Sequence, residues 1–270
     1  MKNILNKIEF HYTYIIIAIS FIITGYFTNL IICTSIIIIH ELGHYTVAKK
    51  NNLNPKKIII YPFGGITKLD HLINTKITKE LEVAISGIIF QSIYYVLILI
   101  LYKNNILREY IYNIYKNYHY SILIFNILPI YPLDGSKILN LLLSKYIPYK
   151  QTNKLTIIIS IITIILLSVI NYYKFNYTTI LILTIIIDNL IKYKKEINYL
   201  FNKFLLERYL YKITPKKTKK INKIDNMYKE KYHIIKENNT YLTEKQVLKR
   251  IFKWKNQKTF DFKPHFMLEL

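Results

Sequence analysis

The sequence predicts an all-α polytopic membrane protein with about six transmembrane helices and a small α+β tail. Apolar residues come in long blocks rather than amphipathic stripes, lysines gather in alternate connections, and a charged C-terminal segment carries short strand and helix patterns. Five blocks are readable, at residues 8–48, 83–102, 120–143, 155–173 and 177–191. A spanning helix needs about 20 apolar residues. As one helix the first block would be about 60 Å long, so it holds two spans that turn at residues 25–29. A transmembrane unit then covers 1–195. Residues 196–220 follow as a basic surface helix at 201–211 and a charged linker at 212–220 with Pro215. The tail unit is 221–270. Within it, 224–232 has helical spacing, His233 to Ile235 is a strand, and Asn238-Asn239 is a turn. Thr240 to Leu242 is a second strand, and Thr243-Glu244 opens a helix carrying Val247, Leu248, Ile251 and Phe252. Residues 256–270 read as frayed. The unit has too little apolar surface for an independent core.

Charge sets the orientation. Lys49, Lys50, Lys56, Lys57, Lys68, Lys76 and Lys79 lie between spans two and three, and Lys145, Lys150 and Lys154 between four and five. The opposite connections carry none near Gly25, then Lys103, Arg108 and Lys116, then Lys174. Basic residues concentrate in cytoplasmic loops, so both termini are expected in the cytoplasm, with His40 and His44 in the cytoplasmic half. The same loops and the basic tail account for the net charge of +22, and no nucleic-acid motif accompanies it. The lone Cys33 excludes an internal disulfide or a cysteine metal cluster. The first apolar segment lacks a small-x-small cleavage site, so no cleavable signal peptide is expected.

The chemistry sits at the end of the first block, in His40-Glu41-Leu42-Gly43-His44. This is the H-E-x-x-H zinc pattern. Its i, i+4 spacing puts both imidazoles on one helix face, with Glu41 in reach of a metal-bound water. Catalytic zinc takes three protein ligands and keeps a position for water. The third candidate is Asp134, inside the fourth block, because an intramembrane carboxylate is costly and functional by default. Pro129 and Pro132 remove helical hydrogen bonds nearby. The backbone at 129–135 is therefore expected to be irregular, with its freed carbonyls meeting water or Asn126 in a polar pocket. Gly135 is expected to supply a φ > 0 turn after the acid. The metal site then lies between helices two and four. Glu82 and Asp188 read as interfacial charges, and His11, His71, His119, His233 and His265 as solvated or structural.

These two segments, with Asn126…Pro129…Leu133-Asp134-Gly135 as the second, resemble the signatures of the site-2 protease family of intramembrane zinc metalloproteases. Tyr61-Pro62-Phe63-Gly64-Gly65 and Phe204-Leu205-Leu206-Glu207-Arg208-Tyr209 resemble its sporulation branch, and 221–253 resembles one half of a paired cystathionine β-synthase-type unit. The likeness covers residues 1–210. It implies zinc held by His40, His44 and Asp134, with Glu41 as proton acceptor and donor. It also implies Asn126 as oxyanion donor or peptide orienter, against the plainer reading of a helix-packing residue. A hairpin around Gly64 and Gly65 would pair with an extended substrate. The implied partners are the lipid bilayer, a membrane-associated pro-sigma factor as substrate, and membrane inhibitor proteins. The implied place is the outer forespore membrane, facing the mother cell. The family's third span carries Gly-Pro followed by Asn. Here Ile88 follows Gly87 and Gln91 stands at the Asn position, read as drift in a packing helix. Two other readings stand beside this one. One is a gluzincin-type membrane hydrolase using Glu82, and the other is a metal-binding scaffold or transporter, against which the retained Glu41 argues.

Overall fold

The computed structural model describes residues 7–62, 64–70, 72–170, 177–211, 217–237 and 240–255. Strand β1 (Ile8–Phe10) leads into α1 (Tyr12–Ile23), α2 (Phe27–Lys50), β2 (Pro55–Tyr61) and β3 (Gly64–Leu69). Helices α3 (Ile77–Lys103), α4 (Glu109–Ile127), α5 (Asp134–Ser144), α6 (Tyr149–Ile170) and α7 (Tyr177–Leu210) follow. The tail is β4 (Lys217–Ile221), a 3₁₀ turn (Ile224–Asn226), β5 (Lys231–Glu237), β6 (Thr240–Thr243) and α8 (Glu244–Lys255).

The first block divides where expected. Gly25 has φ +79°, a conformation that costs glycine nothing, and α2 restarts at Phe27. Among the described residues, three helices have the length and apolar composition to cross a bilayer: 27–50, 77–103 and 149–169. The first span is shorter than expected, since the 12 residues of α1 reach only about 18 Å. The fourth is not one span. Helix α4 begins at Glu109, well before residue 120, and takes in Lys116 and His119. It ends at Ile127, and α5 starts at Asp134. The break at 128–133 falls on Pro129 and Pro132 as predicted.

The groups freed at the break are met differently from expectation. Ser160 of α6 accepts from the Tyr131 N–H (3.1 Å) and shares its one hydroxyl proton between the Thr156 carbonyl of its own helix (2.8 Å) and the Pro129 carbonyl (3.2 Å). Tight local turns meet Leu128 and Ile130, whose carbonyls accept from Ile130 N–H and Leu133 N–H at 2.8 Å each. Ile130 is buried beside Ile164, Ile186 and Leu190 rather than facing a polar pocket. Gly135 also departs from expectation. It is helical, and it is absent from the positive-φ glycines, Gly25 and Gly64. It is needed for close approach instead, because a Cβ there would overlap the Ile127 carbonyl.

Sheet order is β1-β2-β3, parallel between β1 and β2 and antiparallel between β2 and β3. The N-terminal strand and the α2–α3 connection therefore share one end of the helices. The tail joins them there. Its apolar residues Ile221, Met227, Ile235, Val247, Leu248 and Phe252 form one cluster with Tyr149 of α6 and Phe201, Phe204 and Leu205 of α7. The expected surface helix at 201–211 is thus the continuation of α7, a 34-residue helix running unbroken past residue 195. Its apolar face covers the tail rather than lipid. Part of the expected linker is β4, and only Ile224–Asn226 of 224–232 is helical. The two strands and the helix after them stand close to where they were read, and Asn238-Asn239 and 256–270 lie outside the described residues. Thr243 and Gln246 form a reciprocal cap at the start of α8, with Thr243 N–H to Gln246 Oε1 at 2.9 Å and Gln246 N–H to Thr243 Oγ1 at 3.4 Å.

His233 is completely buried in this tail core. Its Nε2 accepts from the Tyr228 N–H (3.0 Å) and its Nδ1 faces Glu244 Oε2 (3.0 Å). A neutral ring with the proton on Nδ1 satisfies both. Burial holds its pKa below the ordinary 6.5. His233 and Arg208, as hydrogen-bond donors, hold Glu244 below the ordinary 4.5 against the opposing effect of burial. For both groups the unfolded chain binds protons more readily than the folded one, so stability falls as pH falls. The histidine contribution begins to fade near pH 6.5, and the glutamate contribution fades below 4.5. The free energy of opening in β5 and α8, taken from amide exchange after correction for the intrinsic rate at each pH, should therefore fall as pH drops below about 6.5 and again below about 4.5, and His233→Gln should remove the upper step.

Candidate metal centre

His40 and His44 lie in the C-terminal half of α2, on the face packed against α3. Asp134 is the first residue of α5, set down there by the break that precedes it. All three are buried. His40 Nε2 is 2.8 Å and His44 Nε2 2.9 Å from Asp134 Oδ2, and the two Nε2 atoms are 3.1 Å apart. Glu41 joins the same cluster, its carboxylate and the two imidazoles all within 4.8 Å.

The outer ring nitrogens are engaged. His44 Nδ1 is 2.7 Å from the Val83 carbonyl of α3, which can only accept, so Nδ1 carries the proton. His40 Nδ1 is 3.0 Å from Gln91 Oε1. With both protons outside, the two Nε2 lone pairs and a carboxylate oxygen converge within about 3 Å of one another, an arrangement that repels itself unless a cation or a shared proton lies among them. Tetrahedral zinc with bonds of about 2.0–2.1 Å sets its ligand atoms about 3.3 Å apart. This donor set fits zinc. Gly87 of α3 keeps the space open, because a Cβ there would overlap His44 Nε2 and crowd His40 Nε2.

Glu41 is placed by the hairpin. Thr67 of β3 donates its hydroxyl to Glu41 Oε2 at 2.7 Å. A Cβ on Gly65 would overlap the Glu41 side chain. Gly65 therefore lies against the acid, whereas a Cβ at Gly64 would meet nothing within 4 Å. Asn126 is less directly placed. Its Nδ2 donates to the Ile122 carbonyl one turn back (3.0 Å), and among the described residues no hydrogen bond joins it to His40, His44 or Asp134. Glu82 accepts from Asn51 (2.8 Å) and Asp188 pairs with Lys192 (2.9 Å), both on exposed sites away from the imidazoles. Neither competes with Asp134.

Three participants escaped the sequence reading. Lys137 places Nζ 3.0 Å from Asp134 Oδ1, the oxygen turned away from the histidines. Its i, i+3 spacing from an intramembrane acid was a readable signal. Gln91 is fully buried against His40 rather than drifting in a packing helix. Thr67 carried no signal, since the strand register decides what it faces.

Residues 28–121 match peptidase family M50. Stage IV sporulation protein FB of Bacillus subtilis is 28% identical over 243 residues, spanning 87% of this chain and 82% of that protein. A zinc metalloprotease of Methanocaldococcus jannaschii is 30% identical over 167 residues, or 55% of this chain and 46% of that longer protein. Among solved structures, the site-2 protease from Methanocaldococcus jannaschii shares the fold, with TM-score 0.55 and 24% identity over 68% of this chain and 89% of that one. The family M50 match ends before Asp134, so the third ligand rests on geometry.

Asp134→Asn and His44→Phe should each lower zinc retained on purification, and Gly87→Ala should do so through its methyl group alone. Zinc counted per chain by elemental analysis checks this. Full zinc in Asp134→Ala would remove Asp134 from the ligand set.

Proposed function

We propose that this protein is an intramembrane zinc metalloprotease that hydrolyses a peptide bond of a membrane-associated protein near the cytoplasmic face. The observation that carries the reading is Glu41, a buried carboxylate held by Thr67 beside three converging metal ligands, with an edge strand against it. His40, His44 and Asp134 would hold zinc. Bound there, the ion would polarise the scissile carbonyl and make the attacking water more acidic.

The chain's own residues supply the rest. Thr67 engages Glu41 Oε2, which leaves Oε1 to take the proton of the attacking water and return it to the leaving amine. Strand β3 is the outer strand of its sheet, so its free edge is available to an extended peptide. A substrate strand added there would run past Glu41, because Gly65 and Thr67 both touch that side chain. This keeps the peptide from returning to helix while it is attacked. Asn126 could serve the oxyanion only by releasing the Ile122 carbonyl, a donor worth roughly 3 kcal/mol where it acts. Lys137 offsets the charge on the outer oxygen of Asp134.

Similarity to stage IV sporulation protein FB across most of both chains supports a membrane-associated pro-sigma factor cleaved during sporulation as the substrate. That likeness also supports the outer forespore membrane as the location, membrane proteins as inhibitors, and cytoplasmic ends for both termini. The lysine distribution supports the same orientation, with the β1–β3 sheet and the tail on the cytoplasmic side.

Glu41→Gln should keep zinc at the wild-type level and lower cleavage of a co-expressed pro-sigma substrate by at least about 100-fold. Cleavage that survives this change would end the protease reading. Thr67→Val, which removes one charge-assisted hydrogen bond of roughly 1.5–3 kcal/mol, should slow turnover about tenfold or more without changing zinc content. Reporter fusions after Lys57 and Lys150 should read as cytoplasmic and one at Asn105 as external. A cytoplasmic signal at Asn105 would overturn the orientation.

A further inference from the structure

The two imidazoles are anchored by unlike groups. His44 leans on a backbone carbonyl, Val83, which no substitution removes. His40 leans on a side chain, Gln91, fully buried in the middle of α3. A carboxamide in an apolar helix needs partners for both its ends. Its nitrogen lies 3.0 Å from the His119 carbonyl of α4, with the His119 ring nitrogen at 3.5 Å. That carbonyl can only accept, so the amide nitrogen must face it. The atom left facing His40 is then the carboxamide oxygen, which also only accepts. His40 must carry its proton on Nδ1, and its Nε2 must present a lone pair toward His44 and Asp134.

We infer that Gln91 is a positioning residue for the metal centre: it fixes the tautomer and ring orientation of His40 that metal ligation requires, and takes its own orientation from the His119 carbonyl. The chain of constraint runs from α4 through α3 to α2. The ring of His119 is buried and stacked on Tyr95 at 4.3 Å, which holds this stretch of α4 in place. Without Gln91, a lone His40 could put its proton on either nitrogen, and the tautomer protonated at Nε2 cannot bind zinc. Groups in this position typically change metal affinity 10- to 100-fold.

This inference rests on the zinc reading, and the test separates the two. Zinc affinity would be measured on detergent-solubilised full-length chain by competition with a chelator, and cobalt(II) absorption bands would report the ligand field. Gln91→Leu removes both ends of the amide, and should weaken zinc roughly 10- to 100-fold and alter the cobalt bands. Gln91→Glu keeps an acceptor for His40 and, with its outer oxygen protonated in this buried place, a donor to the His119 carbonyl. It should stay within about threefold of wild type, as expected if the acceptor is what matters. Should Gln91→Leu not yield folded protein, Gln91→Met takes its place, with the same expected loss. Wild-type affinity in the Leu or Met variant would overturn the inference, as would a Glu variant as weak as they are. Wild-type chain that binds no zinc would instead overturn the metal reading itself.

Discussion

Three lone-pair donors meet within about 3 Å in a buried place, and most of the architecture follows from making that tolerable. Two imidazoles on one helix face can be supplied by a single regular helix. A carboxylate opposite them cannot come from a regular neighbour, because the acid must point its oxygen at both rings. The break between α4 and α5 solves this by placing Asp134 on the first turn of a new helix, where the macrodipole also favours its charge. Lys137, one turn on, neutralises the oxygen the histidines do not use. Helix α3 completes the arrangement from the third side. It offers a carbonyl to one ring, a carboxamide to the other, and at Gly87 an absence of side chain where the metal would lie.

Breaking a helix inside a bilayer would ordinarily strand backbone groups that hydrocarbon cannot satisfy. Here protein replaces water. The hydroxyl of Ser160 meets one donor and one acceptor of the irregular stretch, tight turns meet the Leu128 and Ile130 carbonyls, and Ile130 packs against Ile164, Ile186 and Leu190. A polar active-site group on one face of the break and a dry packing face on the other are compatible because a single serine from α6 bridges them. Close helix approach is the other requirement. Gly135 and Gly43 stand where an added Cβ would strike the Ile127 carbonyl and the Ser86 carbonyl.

The convergence of His40, His44 and Asp134 was legible because each is chemically out of place in an apolar segment: a histidine pair at helical spacing, and a carboxylate beside two prolines. The break was legible for the same reason, since proline cannot donate to the helical ladder. Ser160, Thr67 and Gln91 were not. Each is an ordinary small or polar residue whose meaning depends on what lies across a helix or strand interface, and one chain's pattern does not encode those pairings. Strand β4 was missed because four of its five residues are exposed and three are lysine; only Ile221 turns inward, leaving no alternation to read. Helix α4 was truncated in the reading because Glu109, Lys116 and His119 interrupt its hydropathy, although its tyrosines continue the buried face toward α2 and α3.

The tail shows how a unit too small for its own core remains ordered. Its apolar residues complete a cluster only when Phe201, Phe204 and Leu205 are added. A polar clamp then surrounds that cluster. The Arg208 guanidinium pairs with Glu244, and donates to the carbonyls of Lys229 and Lys231 and to Asn74 Oδ1. Asn74 also donates to Glu207 and the Phe204 carbonyl. Glu230 caps the N-terminus of α3 through the Ile77 N–H (2.7 Å), and Lys229 pairs with Glu80 (2.6 Å). Arg208 and Lys229 are buried, and lifting the tail away would separate Arg208 from Glu244 and Lys229 from Glu80. A buried arginine stripped of its carboxylate costs several kcal/mol, about 3–5 for one broken pair. The tail is thus joined to the first turn of α3, the helix that steadies both histidines.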